Sequence, residues 1–170
     1  MQEDDHQRLF DHWLQSHQGL FFKVVRAYAF TPQDQEDLFQ EIATQVWRSV
    51  ANFRGEANAT TWIYRVALNT AIAWTRKESK YRDGKQSIDG ADVAILQASP
   101  VTDPRIEWLY AQIQQLNEID RSLTLLLLDG FAHKEMAAML GITESYVGVK
   151  ISRIKTHLTS KSKEEVRHGV

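Results

Sequence analysis

Apolar residues recur at helical spacing along most of the chain. Leu38, Ile42, Val46 and Val50 follow one another at i+4 with Phe39, Ala43 and Trp47 beside them, which makes one apolar helix face. Thr31 and Pro32 predict where that helix starts: the threonine hydroxyl can accept from a first-turn amide, and proline suits the first helical position because its φ is already helical. Asp34 then falls in the first turn. Upstream, Leu9, Phe10, Trp13, Leu14, Leu20, Phe21, Val24, Val25 and Tyr28 predict an earlier helix. After the break "NFRGEANAT", Ile63, Val66, Ala67, Thr70 and Trp74 predict a helix over Trp62–Lys77. Four further helices are predicted over 105–116, 118–128, 134–140 and 145–160, and no strand-length alternation or internal repeat competes with them.

Between these groups, 78–104 holds Gly84, Gly90, Pro100 and Pro104 and little sustained periodicity, so it reads as a linker with a short helix around Val93 to Gln97. The expected fold is all-α: two small helical domains, 1–77 and 105–160, joined by a flexible linker, with a basic and polar tail over 161–170. "HKEMAAML", Gly141 and "ITESYVGVKISRIKTHL" give the C-terminal domain the form of a helix-turn-helix, whose second helix can enter a DNA major groove. With Val147 at the core, Ile151, Ile154 and Leu158 fall within about 40° of it and must pack inward. Ser145, Val149, Ser152 and Thr156 lie opposite, flanked by Tyr146, Lys150 and Arg153 on one side and by Gly148 and Lys155 on the other. Small side chains let bases approach, and the flanking cations suit phosphates. "LTLLLLDG" reads as core through Leu123, Leu126 and Leu127, with Asp129 and Gly130 ending the helix. His133 reads as a solvated or capping residue.

Composition narrows the chemistry. The 170 residues include no cysteine, which excludes disulfides, thiolate zinc sites and thiol catalysis and fits a reducing cytoplasm. The start "MQEDDH" is acidic, and no apolar run approaches the roughly 18 residues of a membrane span, so the expectation is a cytoplasmic protein without membrane insertion. No HExxH, P-loop or Cys-His set is present, and His12 and His17, five apart, share no helix face. The expectation is therefore a protein that is not an enzyme and has no metal or cofactor.

The formal net charge of −2 conceals segregation: Glu3, Asp4 and Asp5, then Asp34, Glu36, Asp37 and Glu41, are acidic, whereas 57–77 and 145–163 carry only positive charge. Separated charges suggest separate partners. Asp34, Asp37 and Glu41, spaced three and four, form an acidic stripe on the exposed side of their helix. Beyond it, the loop Asn52–Thr61 combines an aromatic, a glycine and short polar side chains, and Trp62, Arg65, Asn69, Ile72 and Arg76 share one face of the following helix. Aromatic rings with interleaved cations and amides can hold unstacked single-stranded bases. Trp47 and Trp74 are expected in the core.

On these motifs, "DLFQE", "FRGE" and "TWIYRVALN" in that order, the chain resembles the second conserved region of bacterial RNA polymerase sigma factors of the extracytoplasmic-function type. Its C-terminal half resembles, more loosely, their fourth region. The resemblance implies that Asp34, Asp37, Leu38, Gln40 and Glu41 grip the helical coiled coil of the largest subunit of core RNA polymerase. It implies that Asn52 to Thr61 captures a flipped base of the −10 element, with Phe53, Arg54 and Asn58 leading and Thr61 closing the loop. Trp62, Arg65, Asn69, Arg76 and Lys77 would meet the upstream fork of the melted strand and nearby phosphates. Ser145, Tyr146, Val149, Lys150, Ser152, Arg153 and Lys155 lie on the helix that would read the −35 element of promoter DNA.

The same resemblance implies an anti-sigma factor as a further partner and no obligate homo-oligomer. Two positions depart from the family pattern. Asn117 stands near a common Leu-Pro pair, and "SYVGVKISR" replaces a glycine-threonine-valine-basic-serine-arginine run, placing Gly148 where it weakens the helix by roughly 1 kcal/mol relative to alanine. A stand-alone helix-turn-helix repressor, its N-terminal half serving dimerisation or ligand binding, is the alternative. It leaves the acidic stripe and "NFRGEANATTW" without a role.

Overall fold

The computed structural model describes residues 3–83 and 103–168. Among them are α1 (Glu3–Ser16), α2 (Gln18–Tyr28), α3 (Pro32–Val50), α4 (Ala59–Asp83), α5 (Pro104–Gln115), α6 (Glu118–Leu128), α7 (His133–Leu140) and α8 (Glu144–His168), and no strand. The chain divides into two compact units, 1–102 and 103–170. The short helix expected around Val93 to Gln97, and most of the expected linker, lie outside the described residues.

In the N-terminal unit the i+4 stripe of α3 is the centre of the core: Leu38, Ile42, Val46 and Val50 are fully buried. They pack with α4, whose Ile63, Tyr64, Ala67, Leu68 and Ala71 are buried, and with Phe21, Val24 and Tyr28 of α2. The α3 start is built as its sequence predicts. Thr31 Oγ1 accepts from the Asp34 amide at 3.1 Å, and Pro32 opens the helix.

The expected single early helix is two, broken at His17, where φ −122° and ψ 26° leave the helical region. His17 closes the break through its neighbours: its amide donates to the Trp13 carbonyl at 3.0 Å, and its Nε2 lies 3.1 Å from Thr60 Oγ1 at the head of α4. Hydrophobic periodicity runs through such a break, which is why spacing alone did not reveal it. The fourth helix also exceeds its expected ends. Asn58 Oδ1 accepts from the Thr60 amide at 2.8 Å and starts α4 earlier, while "ESKYRD" continues it to Asp83, past the expected linker boundary at 78.

In the C-terminal unit, α5 and α6 join at Asn117, which caps α6 by accepting from the Asp120 amide at 2.9 Å. That is the local use of the position where the family pattern has Leu-Pro. Leu123, Leu125 and Leu126 are buried, whereas Leu127, expected in the core, is half-buried and Leu128 is exposed. Leu126 turns inward with Met136 and Met139 of α7 and with Val147, Ile151 and Ile154 of α8. Gly130 and Gly141 adopt φ of 81° and 67°, the left-handed geometry that ends α6 and α7. Thr143 Oγ1 accepts from the Tyr146 amide at 3.1 Å and opens α8, which runs to His168 through the segment expected as a tail.

Gly148 stands inside α8 with an ordinary helical backbone, and a Cβ built there would meet only His133 Nδ1, at 3.9 Å. Gly148→Ala is therefore expected to stabilise the C-terminal unit by about 1 kcal/mol, because it restricts the unfolded chain without a clash. Urea denaturation of the full chain would show this as a later midpoint for the C-terminal transition; an unchanged or earlier midpoint would refute it.

Candidate functional site

Two surfaces carry the residues singled out above, one on each unit. On the N-terminal unit, Asp37, Gln40 and Glu41 are exposed on α3 and Asp34 is half-buried at its head. Leu38 departs from its expected role: it is fully buried, because it belongs to the i+4 stripe that packs on α4. What α3 exposes of the expected set is thus its acids and Gln40.

The acidic stripe continues down α3 as Gln45, Arg48 and Ser49, with Asn52 beyond. Together with Arg65, Asn69, Thr70, Trp74 and Lys77 of α4, and with Asp37 and Glu41, these residues line an open groove of about 830 Å³. Its one wall passes from carboxylates to a guanidinium within three helical turns, and its other wall carries the cations Arg65 and Lys77 and the amide of Asn69, with Glu78 as its one carboxylate. Gln45, Arg48 and Ser49 were not among the expected site residues. The signal was present, since 37, 41, 45, 48 and 52 keep the spacing of one helix face.

The loop between α3 and α4 is fixed at both ends. Phe53 does not stand free to receive a base: its ring sits 5.0 Å from that of Trp13 and 5.4 Å from that of Trp62, edge to face with both. Such pairs contribute about 0.5–1.5 kcal/mol each beyond burial. Trp62 in turn donates from Nε1 to Ser49 Oγ at 3.0 Å and is half-buried. Asn58 spends its side-chain oxygen on capping α4. Arg54, Gly55, Glu56 and Ala57 between these anchors are exposed, with Gly55 at φ 74° turning the chain.

Along α4, Arg65, Asn69, Arg76 and Lys77 are exposed and Thr61 is half-buried, whereas Ile72, expected on the same face, is buried. Asn69 Nδ2 donates to the Arg65 carbonyl at 2.9 Å. Trp47 and Trp74, expected in the core, are half-buried, and the fully buried tryptophan is Trp13. Trp47 is held edge-on by Phe10 at 5.5 Å.

On the C-terminal unit, α8 presents Ser145, Tyr146, Val149, Ser152, Arg153, Lys155 and Thr156 to solvent, with Tyr146 44% and Val149 49% exposed. Lys150 departs from the expected exposed flank. Its side chain is only 19% exposed, its Nζ lies 3.3 Å from Asp120 Oδ1 of α6, and it sits 5.5 Å from the Tyr146 ring centroid. Burial works against the Lys150 charge, but the Asp120 carboxylate, with a smaller contribution from Tyr146, outweighs it and holds the ammonium above the ordinary lysine range. Spacing located Lys150 on its flank correctly; it could not locate the carboxylate on another helix.

Among the described residues, no three histidine, aspartate or glutamate side chains stand together as a metal site, and no helix is long and apolar enough to cross a membrane. What both surfaces offer is recognition: cations, amides, small hydroxyls and one acidic stripe.

Known proteins match this arrangement unit by unit. The family model for sigma-70 region 2 matches residues 13–81, and that for sigma-70 region 4 matches 106–158. The ECF RNA polymerase sigma factor SigX of Bacillus subtilis is 28% identical over 165 residues, covering 89% of this chain and 83% of that protein. The RNA polymerase sigma-H factor of Pseudomonas aeruginosa is 26% identical over 161 residues, covering 86% and 81%. Among solved structures, the sigma factor RpoE of Bartonella quintana, in complex with the anti-sigma factor NepR, aligns with a TM-score of 0.69 at 19% identity, over 92% of this chain and 98% of that one. CnrH, in complex with the cytosolic domain of CnrY, aligns with a TM-score of 0.62 at 19% identity, over 94% and 90%. At that identity the two structures establish likeness of fold.

Two consequences can be measured. Phe53→Ala should destabilise the N-terminal unit by about 1–3 kcal/mol through lost burial and ring contacts, while Arg54→Ala, with an exposed side chain, should stay within about 0.5 kcal/mol of the parent. Equal, small effects in thermal melts would show that Phe53 is no anchor. The second concerns pH. A lysine whose folded pKa is raised contributes its stability in full below its unfolded pKa, near 10.4, and loses it as pH rises through the higher folded value. The C-terminal unit of the parent should therefore lose stability on titration above about pH 10 by more than Lys150→Met does; parallel alkaline curves would rule out a contribution from the pair.

Proposed function

The chain belongs to the extracytoplasmic-function type of the sigma-70 family, and from that premise we propose how its two surfaces divide the work of directing transcription initiation. The N-terminal unit binds core RNA polymerase with the acidic face of α3, through Asp37, Gln40 and Glu41 and with Asp34 at its head. An exposed carboxylate row suits a basic partner and orients its approach. The loop Asn52–Thr61 and the α4 face of Trp62, Arg65, Asn69, Arg76 and Lys77 take the melted −10 strand. Within the loop, the exposed Arg54–Ala57 segment meets the captured base, while Phe53 and Asn58 hold the segment in shape.

The C-terminal unit reads the −35 duplex with α8. Ser145, Val149 and Ser152 are short enough for the groove floor, Arg153 is the leading base reader, and Tyr146 and Lys155 flank it. The protein acts by binding, in the cytoplasm where polymerase and chromosome are, and no bond-breaking step is assigned to its side chains. An anti-sigma factor is a further partner. The support for it is that RpoE and CnrH, which share this fold, were solved in complex with the anti-sigma factor NepR and with the cytosolic domain of CnrY, respectively.

The observation that carries this reading is that both units match sigma-70 regions, in order, while each exposes a face of the charge its partner requires. A stand-alone repressor would have no reason to carry region 2. Purified protein added to core polymerase should give new transcripts from a genomic promoter library. Asp37→Lys with Glu41→Lys should weaken holoenzyme formation by roughly 2 kcal/mol or more through like-charge contact, with the fold intact by circular dichroism. Normal holoenzyme assembly by that double variant would move the interface elsewhere.

A further inference from the structure

Of the three lysine and arginine side chains between Ser145 and Thr156 on α8, two are exposed, Arg153 and Lys155, and one, Lys150, is held against α6. The carboxylate that holds it is itself fixed. The Asp120 amide donates to Asn117 Oδ1 at 2.9 Å, and Asn117 Nδ2 donates back to Asp120 Oδ2 at 3.2 Å, which ties the carboxylate to the head of α6. Asp120 Oδ1 is shielded from solvent and has no hydrogen bond of its own; the ammonium 3.3 Å away is what compensates it. If Lys150 left to reach a phosphate, a buried carboxylate oxygen would remain without its counter-charge. That penalty exceeds what one solvent-exposed phosphate contact returns.

We propose that Asp120 is a positioning residue that withholds the Lys150 charge from the DNA backbone, and so sets how tightly α8 holds duplex irrespective of its sequence. The proposal rests on the reading of α8 as the duplex-facing helix. Lys150 shares its flank with the exposed Tyr146 and Arg153, three or four residues away, so its stem begins within reach of the same phosphates. What keeps its charge back is the acid on α6. A phosphate contact carries no base identity, and each one adds to the salt dependence of binding. Sequestering one cation lowers binding to all duplexes alike while leaving base readers such as Arg153 in place.

The test uses holoenzyme assembled from the full chain and core polymerase, with a promoter duplex and a duplex of scrambled −35 sequence, over about 50–200 mM salt. Asp120→Asn keeps the size of the side chain and an oxygen for Asn117. It should steepen the log–log salt slope by about 0.9 on both duplexes, so that affinity falls about 3.5-fold further over that range than for the parent. Lys150→Gln alone should leave the parent slope unchanged, and the double variant should return to it. A parental slope for a folded Asp120→Asn variant would overturn the proposal. So would a slope shallower by about one in Lys150→Gln, and that arm decides the matter alone if Asp120→Asn does not fold. Arg153→Ala separates the two ideas: if it weakens promoter binding while Asp120→Asn changes nothing, only the sequestration fails. If neither changes binding, the duplex-facing role of α8 falls and the proposal with it.

Discussion

A helix can bury only one stripe of its surface, and in units this small each stripe has a single core to serve. That constraint decides what every helix has left for recognition. In α3 the stripe Leu38, Ile42, Val46 and Val50 packs on α4, and the opposite side is the acid-to-base row from Asp37 to Arg48. In α8 the stripe Val147, Ile151 and Ile154 packs on α6 and α7, which leaves Ser145, Val149, Ser152 and Arg153 outward. Function occupies the complement of the core, so the two can be read from the same periodicity.

That is why much of the architecture is legible in the sequence. Thr31 with Pro32, Gly141 at the α7–α8 turn and the i+4 runs each carry a local cause that acts over one or two helical turns. What was not legible depends on partners distant in sequence. The break at His17 is closed by Thr60, forty-three residues on. The ring partners of Phe53, Trp13 and Trp62, lie on α1 and α4, outside its own loop. The ion pair of Lys150 is invisible in the spacing of α8, which contains no trace of Asp120. Leu38 shows a different failure: its own periodicity marked it as core, and family likeness alone had moved it to the surface.

The groove between α3 and α4 joins what the sequence treated as two sites. Its α3 wall carries the carboxylates of the face proposed for polymerase, and its α4 wall carries Arg65, Asn69 and Lys77 of the face proposed for melted DNA. The same two packed helices therefore fix the distance between those faces, and neither can shift without disturbing the Leu38 to Val50 stripe. A rigid spacing of this kind suits a protein that must present a strand at one place on a much larger machine.

The anchored loop has a consequence for how such a protein can diverge. Arg54, Gly55, Glu56 and Ala57 are bracketed by an aromatic clasp at Phe53 and a helix cap at Asn58. Apart from the left-handed turn at Gly55, none of the four is called upon to hold the fold, since all are exposed. They form an exchangeable insert: under the role proposed for this segment, mutation there changes promoter preference while the clasp and the cap preserve the frame. A lineage of duplicated copies could thus separate its regulons by drift in three side chains, without passing through an unfolded ancestor.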